Sequence, residues 1–120
     1  MRIVLRAVAL LAALAIAPPA IAHAFLDHAS PRVGSTVRGS PGEVKLWFTQ
    51  ELEAAFSTVR VLDKDGKQVD KKNKRVEPSD RTVMSVSLPP LPPGNYRVVW
   101  RALSIDTHVT EGDFTFEVKP

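Results

Sequence analysis

Gly94-Asn95-Tyr96-Arg97-Val98-Val99-Trp100-Arg101-Ala102-Leu103 sets Tyr96, Val98 and Trp100 against Arg97, Val99 and Arg101. That period of two is the mark of a β-strand with one buried face, because successive side chains of an extended chain point to opposite sides. The same alternation recurs on either side of it. Phe114, Phe116 and Val118 oppose Thr115, Glu117 and Lys119, while Met84, Val86 and Leu88 oppose Val83, Ser85 and Ser87. Nearer the N-terminus, Val59 and Val61 oppose Thr58 and Arg60, and Val44, Leu46 and Phe48 oppose Lys45, Trp47 and Thr49. Asp27 and His28 fall in an expected first strand. Ser40-Pro41-Gly42, Asp63-Lys64-Asp65-Gly66 and Pro89-Pro90-Leu91-Pro92-Pro93-Gly94-Asn95 supply the turns. No amphipathic helix longer than two turns is legible. Strands punctuated at roughly ten-residue intervals predict an all-β Greek-key sandwich or barrel of about seven strands.

The first 22 residues do not share this pattern. Met1–Ala22 carries Arg2 and Arg6, no acidic residue, the apolar run Ala7–Ala17, a Pro18-Pro19 break and Ala20-Ile21-Ala22. A basic start, a short apolar stretch and a small-x-small end describe a secretory signal peptide. The run is also shorter than the roughly 20 residues of a membrane span. Removing 22 of the 120 residues leaves a 98-residue domain, 23–120, that begins His23-Ala24-Phe25-Leu26. Ala22-His23-Ala24 is itself small-x-small, so cleavage after Ala24 is the competing register. The 16 basic residues become 14 against 13 acidic ones once Arg2 and Arg6 leave, so the working protein is near neutral. No basic field remains to recruit nucleic acid. There is no cysteine, which excludes thiolate metal sites, cysteine nucleophiles and disulfides. An apolar core must hold the domain together.

Only three histidines exist, His23, His28 and His108. Cleavage after Ala22 makes His23 the first residue, so its α-amine and ring Nδ1 can close a chelate on one metal. Two nitrogens in one plane suit Cu(II), which favours tetragonal nitrogen and oxygen coordination. The amine titrates at about 7.7–8.0, so metal must displace a proton near neutral pH. Asp106-Thr107-His108 offers a second half-site, since residues i and i+2 of an extended segment face the same way. Together the two halves make a complete square set for Cu(II). Asp-x-His alone also describes a capped turn, and a terminal histidine alone a disordered tail; these residues by themselves leave both open. His28 reads as a surface or structural residue that can add an occasional ligand. Lys64–Arg75, interrupted by Asp65 and Asp70 and preceded by Asp63, reads as a solvated, mobile connection rather than a docking patch.

Together these residues resemble the CopC family of periplasmic copper-binding proteins. The shared features are His23-Ala24-Phe25-Leu26, Ala29-Ser30-Pro31 with Gly34, and Leu46-Trp47-Phe48-Thr49. They continue through Gly94 to Ser104, Asp106-Thr107-His108 and Gly112-Asp113-Phe114-Thr115-Phe116. The resemblance implies an immunoglobulin-like sandwich of seven strands and one Cu(II) per mature chain, held by His23, Asp106 and His108. It implies a non-enzymatic carrier or buffer in copper resistance or homeostasis, located in the periplasm, with a CopD-type inner-membrane copper transporter as partner. The mature chain is expected to be a monomer. Two departures follow from the residues. The lysine-rich stretch replaces a methionine-rich Cu(I) loop found in some members, and Met84 is the one methionine left after cleavage. Gln50 followed by Glu51 stands where some members place a glutamate near the copper. Two other readings make different predictions: a copper monooxygenase should show sustained reductant-dependent turnover, and a metal-free adhesion sandwich should tolerate His23→Ala and His108→Ala.

Overall fold

The computed structural model describes residues 23–120; the expected signal peptide, residues 1–22, lies outside them. Eight strands form β1 (Leu26–Ser30), β2 (Thr36–Arg38), β3 (Glu43–Phe48), β4 (Thr58–Leu62), β5 (Arg75–Glu77), β6 (Asp80–Ser87), β7 (Gly94–Leu103) and β8 (Val109–Lys119). They make two four-stranded sheets, in the orders β1-β3-β6-β5 and β2-β8-β7-β4. All pairings are antiparallel except the short parallel one between β2 and β8. The fold is the expected all-β sandwich, with eight strands where about seven were expected. β2 and β5 are three residues each, too short for an alternation to show in sequence.

The alternating apolar positions become the facing inner surfaces. Val44, Leu46 and Phe48 of β3 and Met84 and Val86 of β6 are buried against Val98 and Trp100 of β7 and Phe114 and Phe116 of β8 in one cluster. Phe48 meets Trp100 edge to face, with ring centroids 5.2 Å apart, and Tyr96 stacks on Phe116 at 5.6 Å. Such aromatic pairs add stability beyond the area they bury. The Tyr96 hydroxyl donates to the Pro92 carbonyl at 2.5 Å, pinning the proline-rich connector to the start of β7. Val83 and Ser85 of β6 are buried as well, flanked in register by Trp47 and by Lys45 with Arg75.

The longest pairing is β7 with β8, ten residues in register from Gly94↔Val118 to Leu103↔Val109. Trp100 sits opposite Gly112, and its indole lies across the space a side chain would fill: a Cβ there would be 2.5 Å from the ring. Glycine is required at 112 by packing. This hairpin carries the aspartate and the second histidine of the candidate site at its tip.

The lysine-rich stretch is tied to the sandwich, contrary to the expectation of a mobile connection. Asp70 is 7% exposed. Its carboxylate accepts from the backbone amides of Val61 and Lys72, both at 2.8 Å, and from the Gln68 side chain. Asp70 had counted only as an interruption of the positive charge; its burial makes it the anchor of the segment.

Candidate metal centre

His23-Ala24-Phe25 precedes β1 and has no regular structure, yet most of its backbone polar groups are bonded. The Phe25 amide donates to Thr49 Oγ1 at 2.9 Å, and the Phe25 carbonyl accepts from the Thr49 amide at 2.9 Å. Thr49 Oγ1 also reaches the His23 carbonyl at 3.4 Å. Thr110 Oγ1 of β8 donates to the Ala24 carbonyl. Ala24 itself is fully buried within the core cluster, which draws His23 down onto the sandwich.

Asp106 and His108 occupy the β7–β8 turn rather than an extended strand end. Ser104 and His108 close the ladder through Ser104 N–H to His108 O at 3.0 Å, and the Thr107 amide returns to the Ser104 carbonyl at 2.9 Å. A three-residue loop of this kind uses one left-handed residue. Here it is Thr107, with φ of 72°. β-branched residues rarely adopt that conformation, so the turn holds local strain. The expectation that i and i+2 would face the same way along a strand is replaced by a turn with the same result: His108 Nδ1 lies 3.3 Å from Asp106 Oδ1.

Ser104 organises the turn from beneath. It is 1% exposed, its hydroxyl donates to Asp106 Oδ1, and the same oxygen accepts from the His108 amide at 3.2 Å. That donation is the main reason the Asp106 carboxyl sits below its ordinary value. Partial desolvation opposes it, and His108 assists through a hydrogen bond and its charge.

The two halves meet. The rings of His23 and His108 have centroids 4.5 Å apart and lie edge to face, and Phe25 flanks His23 at 5.9 Å. Among the described residues no three His, Cys, Asp or Glu side chains already surround one point. His23, His108 and Asp106 are three such side chains: the structure brings them together pairwise, ring to ring and ring to carboxylate, without gathering all three about one point, and the amine donor exists only once His23 is terminal. A ring separation of 4.5 Å is compatible with two imidazoles on one ion, at nitrogen distances of about 2.0–2.1 Å such as zinc shows. The donors, nitrogen with one carboxylate oxygen, are those Cu(II) favours. By donor type, the residues fit copper.

Other residues considered from sequence stand apart or bind through backbone. His28 stacks on Trp47 at 4.3 Å and pairs with Asp27 at 2.7 Å. Gln50 and Glu51 are exposed, and Glu51 joins the hairpin turn through its carbonyl, which accepts from the Ile105 amide. Phe25, Ile105 and Val109, each about half exposed, border the histidines with apolar surface. A groove lies elsewhere, on the outer face of β4, β7 and β8 among Arg60, Arg97, Arg101, Glu111 and Asp113, and contains none of the three candidate ligands. Its Arg97–Asp113 and Arg101–Glu111 pairs are solvent-exposed ion pairs across the hairpin. The supporting roles of Thr49, Ser104 and Thr110 were not foreseen.

The CopC domain family profile matches residues 26–119. The chain belongs to the CopC family. Copper resistance protein C of Escherichia coli is 34% identical over 111 residues, covering 87% of each chain. Among solved structures, CopC from Methylosinus trichosporium OB3b is 37% identical with a TM-score of 0.77, over 82% of this chain and 95% of that one. PcoC, a methionine-rich copper resistance protein from Escherichia coli, is 35% identical with a TM-score of 0.69, over 82% of this chain and all of that one. Membership gives this CopC domain a copper-related function, with copper as its metal. Methionine richness is not shared: Met84 is fully buried in the core of this CopC domain.

Proposed function

We propose that residues 1–22 are a signal peptide cleaved after Ala22, and that the mature chain, 23–120, is a monomeric periplasmic carrier or buffer for one Cu(II). The ion is held by the amine and ring of His23, the ring of His108 and the carboxylate of Asp106. The reading rests on one observation above the others: the two histidine rings, 85 positions apart in sequence, stand 4.5 Å apart. Among the described residues no thioether is available at that end to hold Cu(I), since Met84 lies in the core. The role is carriage rather than catalysis, and export places it beside a CopD-type inner-membrane copper transporter as partner. The apolar rim of Phe25, Ile105 and Val109 gives such a partner a face to meet at the metal end.

Mass spectrometry of the exported protein should give a chain starting at His23. Titration of that sample should saturate at one Cu(II), with Ni(II) and Zn(II) weaker by the general order of divalent affinities. His23→Ala and His108→Ala should each lower Cu(II) affinity by more than the roughly 10- to 100-fold that loss of an outer-shell partner costs, because each removes a ring donor itself. A chain starting at Phe25, or tight binding that survives both substitutions, removes the reading.

A further inference from the structure

A ligand at a chain end carries a penalty that a ligand on a strand does not. Terminal residues are poorly ordered unless tied down, and fixing each backbone unit costs conformational entropy. A free His23-Ala24-Phe25 tail would meet that cost at the moment of metal binding. The bonds to this segment come from both sheets: Thr49 directly follows β3, and Thr110 lies in β8. Thr110 stands two residues beyond His108, and the carbonyl it holds belongs to the residue after His23. That hydrogen bond therefore ties the main chain beside His23 to the strand that begins just after His108.

We propose that Thr49 and Thr110 are positioning residues for copper: a two-hydroxyl clamp that orders the N-terminal chelate before the ion arrives and fixes its distance from His108. The proposal rests on the His23 reading above. Neither hydroxyl is a ligand. Thr49 contributes through its backbone amide as well, so its side chain adds to a pairing that persists without it, whereas the contribution of Thr110 is wholly its hydroxyl.

The test uses the processed chain with Thr49→Val and Thr110→Val, which keep side-chain shape and remove the oxygen, and Thr49→Ser and Thr110→Ser, which restore it. Cu(II) affinity is read by competition with a chelator and ligand geometry by electron paramagnetic resonance. A net hydrogen bond is worth about 0.5–1.5 kcal/mol, so each valine variant should bind Cu(II) roughly 2- to 13-fold more weakly. The single resonance spectrum should also broaden into a mixture of species, and the serine variants should recover both readouts. Amide exchange in the metal-free protein gives a second reading that needs no variant: the Phe25 amide should be protected. If the valine variants keep wild-type affinity and spectrum, or the Phe25 amide exchanges like an unstructured peptide, the clamp is overturned. His23→Ala in the same series separates the failures: if it leaves binding intact, the ligand assignment falls. If it abolishes binding while the valine variants do not weaken it, the clamp alone falls.

Discussion

Ser104 puts one buried oxygen between the carboxylate of Asp106 and the amide of His108. Because the hydroxyl donates to the ionised carboxylate, it favours the charged form and lowers the Asp106 carboxyl from its ordinary 3.8. A lowered folded value contributes stability that is full above the ordinary value and lost as pH falls through the lowered one. Ser104→Ala should raise the Asp106 titration midpoint in the metal-free protein, followed by the carboxyl carbon resonance; an unmoved midpoint would show that the turn holds the carboxylate by other means. The same substitution leaves the His108 amide without its side-chain acceptor, so the turn should also lose exchange protection.

At the level of the β7–β8 hairpin, tip and stem have separate requirements. The stem depends on Gly112 lying flat beneath the Trp100 indole, a rigid ring packed edge to face on Phe48. Gly112→Ala forces a methyl group into the ring, and the ring has no free end to swing away. Overpacking of this kind costs about 1–3 kcal/mol, read as a lower denaturation midpoint. A stability unchanged from wild type would mean that the hairpin slides to make room. The tip accepts the opposite compromise, placing Thr107 where glycine or asparagine is usual. Strain is tolerated where the donors stand and avoided where the core is packed.

Across the whole molecule, the long alternating strands were legible because each pattern is local. β2 and β5 were not, because three residues cannot display a period and β2 is placed by a parallel pairing with β8 at the far end of the chain. The candidate ligands were legible as residue types, imidazoles and a carboxylate with few alternatives. Their supports were not: Thr110 meets Ala24 across 86 positions, and nothing in the local sequence of either announces the contact. The anchoring of the lysine-rich segment was hidden for the same reason, since a charge that reads as solvated is buried by amides from two directions. Asp70→Ala should destabilise the fold by about 2–4 kcal/mol, leaving buried donors unmatched, while Cu(II) affinity stays within about twofold of wild type, below the worth of one hydrogen bond. Chemical denaturation and chelator competition on one sample check both; a large loss of affinity would mean that this segment and the metal end communicate.

The indole that covers Gly112 also makes the hairpin its own fluorophore. Trp100 lies on β7 and the strand opposite leads from Gly112 to His108 in four residues, about 13 Å of extended chain. A paramagnetic ion seated at the tip stands close enough to drain its excited state, whereas Trp47 lies stacked on His28 in the other sheet. Emission from the Trp47→Phe protein should dim in step with Cu(II) occupancy and return on chelation. An emission that ignores the ion would place the metal away from the hairpin tip.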